Sequence, residues 1–406
     1  MKNVFLCLCG SVFNNKDMEK TIYYFNPEND MALANFTPYY KTPAEIVRMA
    51  DELAALPAWY APEGSVVKVK READIPCWER LCKGETPFPQ VGWTTRWLSS
   101  VYVPWGWSPA LVHTLLQAGV GSGFLPSGGA LGEWRRLSGR VCASEVLRSF
   151  ADEKGVCGES RVCRTLEEVR KAWDGWGRCV LKAPWSGSGR GLVFLPCGVW
   201  PASAEGWAAR ILRTQGALMA EPIYDKVCDF AMEFCAGGEG KVSFAGYSLF
   251  ETDAFGNYKG NLLASDAEIE RRLVGYVPLE TLHDVRRHLL RKLPEWLGGH
   301  YTGYLGVDMM ICREEGYRVH PCVEINLRMN MGVLARLFFD RYVHPAAQGC
   351  FRIEHYAGSE EALRFHETIS QAYPVRLKDG RLAGGYLSLT PVCGNTRYQA
   401  YVCIGM

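Results

Sequence analysis

Hydrophobic and polar positions along this chain follow two different rhythms. Up to about residue 125, short β-rich runs alternate with helix-like stretches. Residues 21–25 form one such run and end in the polar loop Asn26-Pro27-Glu28-Asn29-Asp30. Thr42, Pro43, Ala44 and Glu45 match a capping box with proline at the first helical position, which predicts a helix to about Ala55. Residues 65–70 and 100–104 read as further strands, and Ser108-Pro109 opens a helix to about Ala118. Strands alternating with helices predict a small open parallel sheet, an α/β domain over residues 18–125. The glycine-rich stretch 121–129 reads as a linker.

Beyond it the pattern becomes mixed α+β. Thr165 and Glu168 cap a helix through Trp173, residues 178–182 and 192–195 are strands, and residues 185–191 between them are rich in glycine. Residues 207–213 are helical and 217–223 form a strand ending in Glu221-Pro222-Ile223. Leu279, Leu282, Val285, Leu289 and Leu293 keep helical spacing, with Pro294 and Gly298-Gly299 as the stop. Residues 305–312 and 317–326 form a hairpin that closes a second domain over 130–344, itself of two α+β halves. Residues 345–406 read as an appended segment with a two-residue turn at Asp379-Gly380.

Composition narrows the function. Lys plus Arg number 45 and Asp plus Glu 44, a net charge of +1, so no global field steers the chain toward nucleic acid. No apolar run approaches the roughly 18 residues a membrane helix needs. The 16 cysteines lie in apolar contexts without a CxxC pair, which predicts free thiols in a reducing cytoplasm. Residues 1–17 lack periodicity and read as a disordered extension.

Two constellations carry chemistry. Ser186-Gly187-Ser188-Gly189-Arg190-Gly191 lies between strands, so it is neither a Walker loop nor a dinucleotide fingerprint. Such a turn forms a flap whose backbone N–H groups approach phosphate oxygens, and Lys182 places an ammonium at its base. The second constellation is Glu324, Asn326 and Arg328, which share one face of a strand. A turn near Glu315-Gly316 sets Asp308 opposite Glu324, converging two carboxylates and an amide oxygen. That oxygen-only set suits Mg²⁺ sharing its shell with phosphates. The loop Asn26–Asp30 and the polar residues Asp253, Asn257, Tyr258 and Lys259 are equally readable as substrate contacts or as turn formers. Trp93, Trp97, Trp105 and Trp107 read as core, and His320 as structural.

Lys182 with its flap, Glu221-Pro222-Ile223, Asp229, Asp308 and Glu324-Ile325-Asn326-Leu327-Arg328 resemble, in order and spacing, the motifs of the ATP-grasp superfamily. The resemblance covers residues 130–340 and implies an ATP-grasp fold behind a Rossmann-like pre-ATP-grasp domain. It implies that Lys182 binds ATP phosphates under the closing flap, and that Glu221, Pro222 and Ile223 line the adenine pocket. It further implies ribose contact by Asp229, one or two Mg²⁺ (or Mn²⁺) on Asp308, Glu324 and Asn326, and Arg328 facing the transferred phosphoryl group. Two positions depart from the pattern: Arg140 stands where many members carry a second ATP lysine, and Gly306 where several carry arginine. Arginine still offers phosphate a charge, as a two-pronged donor. The activity so implied is an ATP-dependent carboxylate–amine ligase working through an acyl phosphate on small molecules, without nucleic acid or membrane, and compatible with a homo-oligomer. A grasp-fold kinase acting on a hydroxyl and a nucleotide-binding module without turnover are the alternatives.

Overall fold

The first four strands, β1 (Ile22–Tyr24), β2 (Val66–Lys68), β3 (Gly92–Thr94) and β4 (Tyr102–Pro104), form the expected parallel sheet in the order β3-β2-β1-β4. Ile22, Val66 and Tyr102 bury one face against Leu111 and Leu115. Those leucines belong to a helix opened by Ser108, whose hydroxyl accepts the Leu111 N–H at 3.3 Å. These are features of a computed structural model, which describes residues 20–72, 75–76, 79, 88–186, 191–252 and 258–405. The extension read over residues 1–17 lies outside the described residues.

Helices α1 (Asn29–Asn35), α2 (Ala44–Glu52) and α3 (Pro109–Gln117) accompany the sheet. The capping box predicted at Thr42 is absent. Pro43 is extended, with ψ 144°, so the helix begins one residue later and no side chain caps it. The predicted linker is also revised, because α4 (Gly128–Ser138) starts inside it.

The chain divides into two compact units. One holds the described residues within 132–247 and 270–329. It opens with α5 (Arg140–Arg148), β5 (Arg161–Cys163), α6 (Leu166–Trp176), β6 (Cys179–Lys182), β7 (Leu192–Leu195), α7 (Ala202–Gln215) and β8 (Leu218–Pro222). The four strands form an antiparallel sheet ordered β5-β8-β6-β7, whose apolar face packs on Val169, Ala172, Ala208 and Ile211 of α6 and α7. Thr165 and Glu168 close the predicted capping box on α6. A larger antiparallel sheet follows. β9 (Lys226–Ala236) and β10 (Val242–Thr252) lead to β11 (Tyr258–Leu263), which belongs to the other unit, before α8 (Leu279–Leu297), β12 (Gly303–Arg313) and β13 (Tyr317–Asn326). The order is β13-β12-β9-β10. Pro294 does not stop α8 as predicted. Leu293 and Leu297 prolong the buried stripe past it, and Gly298, at φ 55°, ends the helix.

The other unit holds the parallel sheet together with residues 248–269 and 330–406. Here β11 pairs with β14 (Gly349–His355), and β15 (Arg376–Lys378), β16 (Arg381–Ser388) and β17 (Tyr398–Ile404) complete the order β11-β14-β17-β16-β15. Asp379 and Gly380, at φ 52° and 73°, make the predicted two-residue turn. The segment read as an appendage is built into this unit. Glu52 of α2 accepts the main-chain N–H groups of Arg397 and Tyr398 at 2.9 and 2.7 Å, and Trp59 donates its indole N–H to the Leu389 carbonyl at 2.7 Å. No helix among the described residues is long and apolar enough to cross a membrane.

Candidate active site

The described residues assigned to nucleotide, phosphoryl group and metal lie in the unit of residues 132–247 and 270–329. Lys182 ends β6, and Glu221 sits on the neighbouring β8, opposite Val180. Residues two apart on a strand share a face, so both side chains project the same way. The Lys182 ammonium lies 2.5 Å from the Glu221 carboxylate, and both residues are buried. Ser160 donates a further hydrogen bond to Glu221 at 3.0 Å.

The flap opens directly after Lys182. Its base is closed by the Ala183 N–H donating to the Gly191 carbonyl at 2.9 Å. Gly191 has φ 80°, and a Cβ there would fall 2.7 Å from Ser186, so glycine is required. Ser186 and Gly191 bracket the flap, and Gly187, Ser188, Gly189 and Arg190 lie outside the described residues. Arg140, at the start of α5, reaches this base. Its guanidinium donates to the Ala183 carbonyl and the Ser186 hydroxyl, each at 2.7 Å, and to Glu324 Oε2 at 2.6 Å.

The paired carboxylates stand on β12 and β13, where Asp308 is the direct cross-strand partner of Glu324. Asn326 donates to Asp308 Oδ2 at 3.0 Å, and Arg328 donates to Asn326 Oδ1 at 3.0 Å. Burial, then the Glu324 charge, pushes the Asp308 carboxyl up to about 7, against the opposing pull of Asn326 and Arg328. Two acids held this close favour a divalent cation, and the donor set of two carboxylates and an amide oxygen fits Mg²⁺. Among the described residues no group of three or more His, Cys, Asp and Glu converges on a metal.

Asp229 lies on β9 opposite Met310, on the same face as Asp308, and Lys226 pairs with it at 2.5 Å. Pro222 and Ile223 follow Glu221 where β8 ends. Sequence reasoning missed Glu233. It is buried on the same face of β9, opposite Gly306, which in turn faces Asn326. The alternation Asp229, Ala231, Glu233 along one strand was the signal that could have found it. The other candidates lie in the second unit. Asn26 is buried and donates to the Gly106 carbonyl at 2.8 Å, tying the ends of β1 and β4 together. Tyr258 and Lys259 lie on β11, whereas Asp253 and Asn257 fall outside the described residues.

No protein-family model matches the sequence, and no curated protein matches it. Solved structures do. The biotin carboxylase domain of the Hydrogenobacter thermophilus 2-oxoglutarate carboxylase gives a TM-score of 0.51 at 12% identity, covering 95% of this chain and 86% of that one. Biotin carboxylase from Campylobacter jejuni gives 0.50 at 11% identity, covering 95% and 87%. The Staphylococcus aureus N5-carboxyaminoimidazole synthetase gives 0.48 at 13%, covering 97% and 95%. With a small sheet carrying Lys182 and Glu221, a larger sheet carrying the paired carboxylates, and a parallel-sheet domain earlier in the chain, the chain has the ATP-grasp fold.

Proposed function

We propose that the chain is an ATP- and Mg²⁺-dependent ligase that phosphorylates a small carboxylate and joins it to an amine. The carboxylate oxygen attacks the γ-phosphorus of ATP and ADP leaves. The amine then attacks the resulting acyl phosphate, inorganic phosphate departs, and a C–N bond forms. The observation that carries this reading is the chain Arg328–Asn326–Asp308 beside Glu324, which sets a guanidinium next to paired carboxylates. Of the two carboxylase structures, one is a β,γ-ATP complex and the other holds MgADP, ADP and bicarbonate, which supports the nucleotide assignment.

In this reading Lys182 and Arg140 neutralise the phosphates, and Ser186, Gly187, Ser188, Gly189, Arg190 and Gly191 cover them. Glu221, Pro222 and Ile223 accept the adenine, and Asp229 the ribose hydroxyls. Asp308, Glu324 and Asn326 hold Mg²⁺, which when bound neutralises the β- and γ-phosphate oxygens. Arg328 orients the transferred group. Phosphoryl transfer asks for alignment and charge more than for covalent help, and these side chains supply both. Free thiols, among them Cys142, Cys179 and Cys322, support a cytoplasmic setting.

The test is hydroxylamine trapping with ATP·Mg²⁺ and a pool of small carboxylates. A hydroxamate with matching ADP and phosphate supports ligation. A phosphorylated hydroxyl compound without free phosphate would instead establish a kinase, and tight ATP binding without turnover a binding module.

A further inference from the structure

We propose that Arg140 keeps the metal carboxylate Glu324 occupied until nucleotide arrives, so that the divalent cation enters with ATP and not before it. The proposal rests on the ATP- and Mg²⁺-reading above, and it concerns the order in which that site fills.

Arg140 is buried, and its guanidinium is fully engaged on one side of the site. One arm holds Glu324 Oε2 at 2.6 Å, and the other holds the Ala183 carbonyl and the Ser186 hydroxyl at 2.7 Å. A guanidinium that close to a carboxylate stands where a metal ion would stand. It cancels the charge that would attract a dication, and it repels the dication itself. Asp308 is likewise engaged, by Asn326. The nucleotide-free site therefore offers a bare cation very little.

A triphosphate changes this balance. It brings anionic oxygens for which a two-pronged guanidinium is well matched. Arg140 can exchange its carboxylate for phosphate, Glu324 is then released to the cation, and the phosphate oxygens complete the shell that protein groups alone leave open. Ser186 and Ala183 flank the point where the flap begins, so the exchange also changes what holds the flap base. Nucleotide and metal are thus coupled through one side chain, and each favours the other.

The experiment is Mn²⁺ binding to nucleotide-free protein, followed by water-proton relaxation, in the wild type, Arg140→Gln and Arg140→Gln/Glu324→Gln. Glutamine keeps a donor for Ala183 and removes the charge. Arg140→Gln is expected to bind Mn²⁺ about tenfold or more tightly than the wild type, a coupling of ordinary size. The double variant is expected to lose that gain. Equal Mn²⁺ affinity in the wild type and Arg140→Gln overturns the proposal. Should Arg140→Gln not fold, the order is read on the wild type. ATP is expected to bind in EDTA, and Mn²⁺ alone to give no relaxation enhancement where Mn²⁺ with ATP gives a full one. Full enhancement by Mn²⁺ alone overturns the proposal. A wild type that binds neither ATP nor Mn²⁺·ATP would instead overturn the nucleotide reading.

Discussion

Lys182 and Glu221 hold each other at 2.5 Å in the interior of the small sheet, so the residue assigned to ATP phosphates also neutralises a buried acid. Removing the lysine leaves Glu221 with one hydroxyl, that of Ser160. Stranding one member of a buried pair costs about 3–5 kcal/mol. Lys182→Ala is therefore expected to lower the urea midpoint as well as ATP affinity. Lys182→Ala/Glu221→Gln should recover most of the stability and none of the ATP affinity. Calorimetry that finds ATP affinity within about twofold of wild type in the single variant, well under the 1.4 kcal/mol of a tenfold change, would take Lys182 out of the phosphate site.

Glu324→Gln keeps the shape of the side chain and one oxygen, but removes the charge opposite Asp308. Turnover is expected to fall by about 10²-fold or more, near 3 kcal/mol of barrier, while nucleotide affinity changes far less. Raising Mg²⁺ should restore part of the rate. Unaltered turnover at low Mg²⁺ would move the metal elsewhere.

His320 is buried under Gly158, and among the described residues neither ring nitrogen has a hydrogen-bond partner. Burial, opposed by Glu221 and aided by Lys182, pushes it down to about 4. A folded value below the unfolded one of about 6.5 means that the unfolded chain binds the extra proton. The stabilisation is complete above pH about 6.5 and is lost as the pH falls toward 4, by roughly 3 kcal/mol at most. Urea midpoints across that window should drop in the wild type and drop less in His320→Phe. Parallel curves would show that other groups govern the acid limb.

Thr165→Ala should cost about 1 kcal/mol, because Thr165 accepts the Glu168 N–H at 3.2 Å and caps α6. Thr42→Ala, at the box that sequence alone predicted equally well, should be neutral, since α2 has no side-chain cap. Thermal melts of the two variants decide this, and equal losses would contradict the capping assignment.

The two threonines show what was legible. A box followed by a helix with a buried stripe, Val169 and Ala172 on α6, is read correctly. At α2 no residue is buried, so local chemistry had no tertiary partner to fix where the helix begins. The hairpin carrying Asp308 and Glu324 was readable because period-2 alternation and one turn determine register locally. β9 and β14 were missed, since β9 pairs with β12 and β14 with β11, strands far away in sequence. Glu233 went unseen for the same reason, as its neighbour Gly306 belongs to a distant strand. The Arg140–Glu324 contact joins positions 184 apart and leaves no trace in spacing.

Glu52 receives its main-chain hydrogen bonds from residues 345 and 346 positions further along the chain. At ribosomal speeds of about 5–20 residues per second, that distance takes on the order of 20–70 s to synthesise. Throughout that interval the parallel sheet has emerged without the strands that share its unit. The unit whose strands are made first is thus the last to be completed.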